Sequence, residues 1–174
     1  IPCQMAHRES TLLQPGIKEV LSLMRISRER GSFMDVEGLL DHFKAGTGKK
    51  SRELLRHWFN SQNAPLSQAI VRLQKAPPKG LRRDIHEKIC QCLSEIHTAG
   101  AKVKAFSSRQ TLDYVSRLWG LDDIIRSTPK NVHTLELLFM EADRMADPAS
   151  FLDHLSLNRD VDTLVPHAEK VILM

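Results

Sequence analysis

Residues 44–55 read Lys-Ala-Gly-Thr-Gly-Lys-Lys-Ser-Arg-Glu-Leu-Leu, a stretch in which a Gly-x-Gly turn leads directly into an apolar helix. The apolar residues before the turn predict a short helix that stops at Gly46, namely Val36, Leu39, Leu40 and Phe43. Those after it predict a second helix that follows Gly48, namely Leu54, Leu55, Trp58 and Phe59. The stretch therefore predicts two helices joined by a short glycine turn, with lysines at the start of the second.

This turn has the chemistry of a phosphate contact. It places backbone N–H groups without helical partners beside fixed positive charge, which suits a phosphate oxygen. The candidate contact residues are Gly46, Thr47, Gly48, Lys49, Lys50, Ser51 and Arg52. The two glycines would offer backbone amides, the lysines and the arginine charge, and the serine a hydroxyl group.

A nucleotide-binding P-loop is excluded at this turn. The residue five positions before Gly48 is Phe43, where the Walker A pattern requires glycine. Lys50 stands where Ser or Thr should follow Lys49. The residues alone leave two alternatives open, a contact with a sugar-phosphate chain and a plain inter-helix turn with solvated lysines.

Charge is distributed unevenly along the 174 residues. Residues 1–110 carry 19 Lys and Arg against 10 Asp and Glu, whereas residues 111–174 carry 6 against 11. Such asymmetry is typical of one surface for a polyanion and another for water or protein, although two ordinary solvated surfaces would also account for it. No apolar run approaches the roughly 20 residues that span a bilayer, and the N-terminus lacks a signal-peptide pattern, so we expect a cytoplasmic protein with no membrane partner.

Neither a metal site nor a catalytic constellation is indicated. Cys90 and Cys92 are two residues apart on a predicted helix and point to different faces, and the histidines lack ligand spacing. Asp160 and Asp162 form an i,i+2 pair in a polar stretch that has no catalytic partners. We therefore expect no metal and no catalytic residue in this chain.

Apolar residues recur at helical spacing along almost the whole chain, which predicts a mainly α fold of about seven to nine helices. One long helix is predicted to end at Ala99 and Gly100, and the clearest apolar stripe runs from Val132 to Met145. Only residues 1–5 and 169–174 read as strands. Since isolated strands need a partner, we expect these two to lie side by side, as in a helical insertion cut from an α/β domain.

For a second basic cluster and for two tryptophans, the sequence favours a structural role over contact with DNA. Lys75, Lys79, Arg82 and Arg83 surround the turn at residues 77–80, which reads as a charged loop. Trp58 and Trp119 could stack on bases, but both fall on apolar helix faces, which favours core packing.

The order of short motifs resembles superfamily-1A DNA helicases of the UvrD/PcrA/Rep type. Residues 16–26 resemble the helix "EIKDxLxYLRL" that follows the "IPY" strand of that family, and Ile1-Pro2 stands where that strand would lie. Residues 45–51 resemble the "RGIGxxT" motif, with Ala45 in place of arginine, Thr47 in place of isoleucine and Ser51 in place of threonine. Residues 135–138, 151–155 and 170–174 resemble "NLEEL", "FLxxL" and "VxLMT" in the family's order.

The resemblance implies an excised part of a helicase. Residues 1–27 and 166–174 would be edges of the RecA-like domain 2A, and residues 28–165 the helical subdomain 2B. The parent would move 3′ to 5′ along single-stranded DNA using ATP and Mg²⁺, with subdomain 2B touching duplex or forked DNA through the glycine turn. Domains 1A, 1B and 2A would be its partners, and this chain would bind no cofactor and have no ATPase activity alone.

Two rival interpretations stay open. A RecB/AddA-type helicase–nuclease would use the same insertion in DNA-end processing. A non-enzymatic helical adaptor would instead bind a protein through the stripe at residues 135–145.

Overall fold

A computed structural model describes residues 12–156 of the chain. Its nine α-helices are α1 (Ile17–Ser27), α2 (Phe33–His42), α3 (Lys49–Ser61), α4 (Leu66–Lys75), α5 (Arg83–Lys102), α6 (Ser108–Ser116), α7 (Leu121–Arg126), α8 (Pro129–Arg144) and α9 (148–156). Single 3₁₀ turns span Val103–Ala105 and Leu118–Gly120. The mainly α fold is confirmed. Residues 12–156 contain no strand, and the two predicted terminal strands lie outside this range.

The described chain divides into two compact units. One consists of Glu19–Phe106, and the other of residues 12–18 with 107–156. Neither division falls at residue 27 or 165, where the helicase resemblance places its domain boundaries. Those boundaries stay predictions about a parent protein.

The unit Glu19–Phe106 is built from helix pairs. Helix α2 packs on α3, and α4 packs on α5, as the short connections between them require. The apolar stripes supply its fully buried side chains, which include Leu39, Leu55, Leu73, Ile89, Leu93 and Ile96. At α1, every residue from Glu19 to Met24 is buried, so this helix is covered on all its faces.

The other unit is organised around α8. Both α6 and α7 pack against it, and Leu112, Val115, Leu121, Ile125 and Leu138 are buried there. Gly16 precedes α1 at φ +88°, where a Cβ would lie 2.7 Å from Ile125 Cγ1. Only glycine satisfies both the left-handed backbone and this close approach.

Local side chains cap several of the helices. Ser107 and Gln110 form a reciprocal capping box at α6. Asp147 accepts a hydrogen bond from the Ser150 amide at 2.8 Å and so acts as the N-cap of α9. Asp35 of α2 caps its own helix through Ser32 and also accepts hydrogen bonds from Ser22 and Arg25.

The 3₁₀ turn that follows α5 is bound by a side chain far away in the sequence. The Arg28 guanidinium donates to the carbonyl oxygens of Lys104, Val103 and Phe106 at 2.8, 2.9 and 3.0 Å. These bonds join residues that are more than 70 positions apart, and they place a cation where the helix dipole favours one. We call this arrangement the Arg28 clamp.

The prediction that the long helix ends at Ala99 and Gly100 is wrong. Helix α5 continues to Lys102, and Gly100 is buried within it. A Cβ at this position would lie 3.6 Å from the Ser27 Cβ, so the glycine marks the crossing of α5 with the end of α1. A glycine within an apolar helical pattern looks the same in the sequence whether it ends the helix or allows a second helix to pack closely against it.

Candidate nucleic-acid interface

The predicted glycine turn connects α2 to α3 through residues 43–48, which we call the glycine hairpin. The chain reverses through left-handed residues, Lys44 at φ +51° and Gly46 at φ +73°. The amide of Ala45 donates to the Leu40 carbonyl at 3.1 Å, which closes the end of α2. Gly46 is exposed, and its missing Cβ would meet no atom within 4 Å. The backbone at Gly46 is therefore accessible to a large ligand.

The N-terminus of α3 is open. Gly48 is its N-cap and provides no side-chain cap. The amide of Arg52 bonds to the Gly48 carbonyl at 3.1 Å as the first bond of the helix. Within residues 12–156, the amides of Lys49, Lys50 and Ser51 have no hydrogen-bond acceptor, as is usual for the first turn. This end of α3 is thus a partial positive charge that lacks a side-chain acceptor.

Lys49 and Lys50 reinforce that positive end. Both side chains are exposed, and neither forms an ion pair within the described part of the chain. Ser51 is half-buried. The structure therefore brings backbone amides, two lysine ammonium groups and a hydroxyl to the same end of one helix.

Arg52 and Thr47 occupy a different position from the other predicted contact residues. The Arg52 Nε donates to the Thr47 carbonyl at 2.8 Å, and its guanidinium forms an ion pair with Asp41 of α2. Thr47 itself is buried, with 6% of its surface exposed. These two residues therefore hold the glycine hairpin to both flanking helices.

An open cavity of about 400 Å³ lies at the hairpin, and two charged residues outside the predicted set, Asp41 and Lys44, are among those that line it. Lys44 lines it and is exposed, without an ion pair among residues 12–156. Asp41 also lines it, but Arg52 compensates its charge. Lys44 lies within residues 44–55, the stretch that predicts the turn. Nothing in the sequence indicates that Asp41 forms an ion pair with Arg52.

The second basic cluster separates into paired and unpaired charges. Arg82 binds Asp84 at 2.7 Å, and Arg83 binds Glu87 at 2.9 Å. The hydrogen bond from Arg82 holds the pKa of Asp84 below its usual value. Lys75 and Lys79 are exposed and have no ion pair within the described residues.

The two tryptophans are each partly covered by protein. Trp58 is half-buried and packs edge-to-face on Phe59, with ring centroids 5.1 Å apart. Trp119 is half-buried and has φ +53° inside the 3₁₀ turn. Both indole side chains are thus half-buried, and the ring contact of Trp58 is with its neighbour in sequence.

A Cys–His contact on α5 does not activate the thiol. The His86 Nε2 lies 2.7 Å from the Leu73 carbonyl oxygen, so this nitrogen carries the hydrogen and donates. It cannot also accept a proton from the Cys90 sulfur, which lies 3.4 Å away. Burial raises the pKa of Cys90 and of Cys92. Neither thiol has the lowered pKa of a reactive cysteine.

Two features are absent from residues 12–156. No three His, Cys, Asp or Glu side chains within 12–156 are grouped as metal ligands would be. None of the helices described there has the length and apolar character needed to cross a bilayer.

No protein family, curated protein or solved structure matches this chain.

Proposed function

We propose that this chain contacts duplex or forked DNA through the glycine hairpin and the first turn of α3, as part of an ATP-dependent 3′-5′ DNA helicase. One observation carries the DNA contact. An exposed glycine backbone, an uncapped helix N-terminus and two unpaired lysines occupy one end of α3. DNA phosphates are anions held by such amides and cations.

The arrangement favours the backbone of DNA over its bases. Amides and ammonium groups contact phosphate without reading sequence, and the aromatic side chains nearby are engaged in packing. We therefore expect binding that depends on salt concentration and little on sequence. Thr47 and Arg52 would fix the hairpin in place rather than contact DNA themselves.

The helicase assignment depends on the resemblance of the motifs at residues 16–26, 45–51, 135–138, 151–155 and 170–174. In this proposal ATP and Mg²⁺ bind elsewhere in the parent, and the chain alone has no ATPase activity. The parent would contribute domains 1A, 1B and 2A, and would be cytoplasmic.

A protein-binding adaptor is the second candidate. On α8, Leu137 and Met140 are 37% and 54% exposed, while Leu138 and Ala142 of the same helix are buried. Two exposed apolar residues at i,i+3 would suit a partner helix. They form a small patch, so the adaptor function has less support than the DNA contact.

The test of the DNA contact is the salt dependence of binding. The chain and its Lys49→Gln/Lys50→Gln variant are titrated into fluorescein-labelled forked DNA with a 12-base-pair arm, and anisotropy is read between 50 and 200 mM NaCl. Each phosphate contact contributes about 0.9 to the slope of log K against log salt, so losing two should lower its magnitude by about 1.8. The matched control is Lys88→Gln/Lys104→Gln, which removes equal charge from exposed positions outside the hairpin.

The outcomes are distinct. A slope that falls only in the hairpin variant supports the contact. Equal slopes in the hairpin variant, the control and the unchanged chain would refute it. In the parent, Lys49→Glu/Lys50→Glu should weaken binding to forked DNA while single-strand-stimulated ATP hydrolysis persists.

A further inference from the structure

The turn that carries Lys79 lies beside α3 in the unit Glu19–Phe106. Gly80 lies in the turn between α4 and α5, and a Cβ placed on it would be 3.3 Å from the Leu54 Cδ1 of α3. Gly80 also has φ +90°, a conformation that L side chains rarely adopt. The turn is further fixed by the buried Pro78 and by a hydrogen bond from the Leu81 amide to the Pro78 carbonyl at 3.1 Å.

This contact fixes the place of Lys79. It stands between the buried Pro78 and Gly80, which is exposed but lies beside the Leu54 side chain, and the Lys79 side chain is also exposed. Leu54 is one helical turn beyond Lys50 on α3. Summing the links from Lys79 through Gly80 and Leu54 places the Cα atoms of Lys79 and Lys50 at most about 19 Å apart.

That distance fits a single duplex. One turn of B-DNA spans about 34 Å, so a segment shorter than one turn can touch both lysines. Each lysine has a long flexible stem, so its ammonium group can reach a phosphate that lies away from its own Cα atom.

The local charges favour the same ligand. Lys79, Lys49 and Lys50 have no ion pair within residues 12–156, whereas Arg82, Arg83 and Arg56 each bind a carboxylate. Glu53 is the exposed acid on this part of α3. Three uncompensated ammonium groups against one carboxylate leave a positive surface.

We propose that Lys79 is a second phosphate-contacting residue for the DNA segment bound at the glycine hairpin. The hairpin and the turn at residues 77–80 thus form one binding track across α3. This inference rests on the proposed function and extends its site to a part of the chain that the sequence presents as a charged loop.

The experiment uses the same forked DNA and salt series with three variants of the full chain. These are Lys79→Gln, Lys49→Gln/Lys50→Gln and the triple combination, with Lys88→Gln/Lys104→Gln as the control. Lys79→Gln should lower the magnitude of the salt slope by about 0.9, and the triple variant by about 2.7. Because these lysines are exposed, the Lys→Gln changes should leave each variant folded. Far-UV circular dichroism checks this for every variant.

The results separate the two proposals. If Lys49→Gln/Lys50→Gln lowers the slope and Lys79→Gln leaves it unchanged, the extended track is refuted while the hairpin contact stands. If Lys49→Gln/Lys50→Gln has no effect, the proposed function fails, and any effect of Lys79→Gln would mark a separate site and refute the joint track. Reductions in both variants that add in the triple variant support the track.

Discussion

Replacing Arg52 with methionine should loosen the glycine hairpin and destabilise the protein. Arg52 joins α3 to the Thr47 carbonyl at 2.8 Å and to Asp41 of α2, so the substitution removes both links. A hydrogen bond from a charged donor contributes about 1.5 kcal/mol. The Arg52 and Asp41 side chains are 40% and 37% exposed, which limits their ion pair to about 0.5 kcal/mol after solvent screening.

The free energy of unfolding should therefore fall by about 2 kcal/mol, measured by urea denaturation followed by far-UV circular dichroism. Arg83→Met is the matched control, because this side chain is 92% exposed and forms one i,i+4 ion pair with Glu87. Arg83→Met should lower the free energy of unfolding by less than about 0.5 kcal/mol. A loss in Arg52→Met no larger than that of the control would refute the bracing role.

DNA binding gives the same variant a second readout. If Arg52 contacts phosphate directly, Arg52→Met lowers the magnitude of the salt slope by about 0.9. If it only holds the hairpin in place, affinity falls while the slope is kept. We expect the second result, because the guanidinium is already bound to a carbonyl and a carboxylate.

Three further predictions concern helix packing and the thiols. Arg28→Met should lower the free energy of unfolding by about 3 kcal/mol, since it removes three carbonyl contacts of a charged donor; a loss below about 1 kcal/mol in urea denaturation would contradict this. Gly100→Ala should raise stability by about 0.5–1 kcal/mol, because alanine favours helix and its Cβ would lie 3.6 Å from the Ser27 Cβ; a lower melting temperature would show that the site has no room. In a Cys3→Ser background, Cys90 and Cys92 should react with iodoacetamide more slowly than free cysteine at pH 8, because burial raises both pKa values and less thiolate is present; rates equal to free cysteine would count against it.

Periodicity in the sequence predicts the helices well, because each helix buries one apolar stripe. The stripe containing Leu54, Leu55, Trp58 and Phe59 identifies α3, and the Asp147-Pro148 pair identifies the start of α9. Helix caps and turns involve residues that are close in sequence, so short sequence patterns predict them.

Contacts between distant segments could not be predicted in the same way. The ion pair of Arg52 with Asp41, the Arg28 clamp and the approach of Gly80 to Leu54 all depend on how helices pack. Gly100 shows the difficulty, because the same residue type serves as a helix stop and as a crossing point. For the candidate site, the sequence predicts the exposed amides and lysines, whereas the supporting role of Arg52 depends on its tertiary contact with Asp41.

The Arg28 clamp has a practical consequence for studying the DNA contact. Its donor and its three acceptors all lie between Glu19 and Phe106, as do both basic segments. A fragment that contains residues 19–106 would retain Arg28, whose side chain binds the carbonyl groups at the C-terminal end of the fragment. The Arg28 clamp and both proposed contact segments would therefore be encoded together by a single uninterrupted piece of the gene.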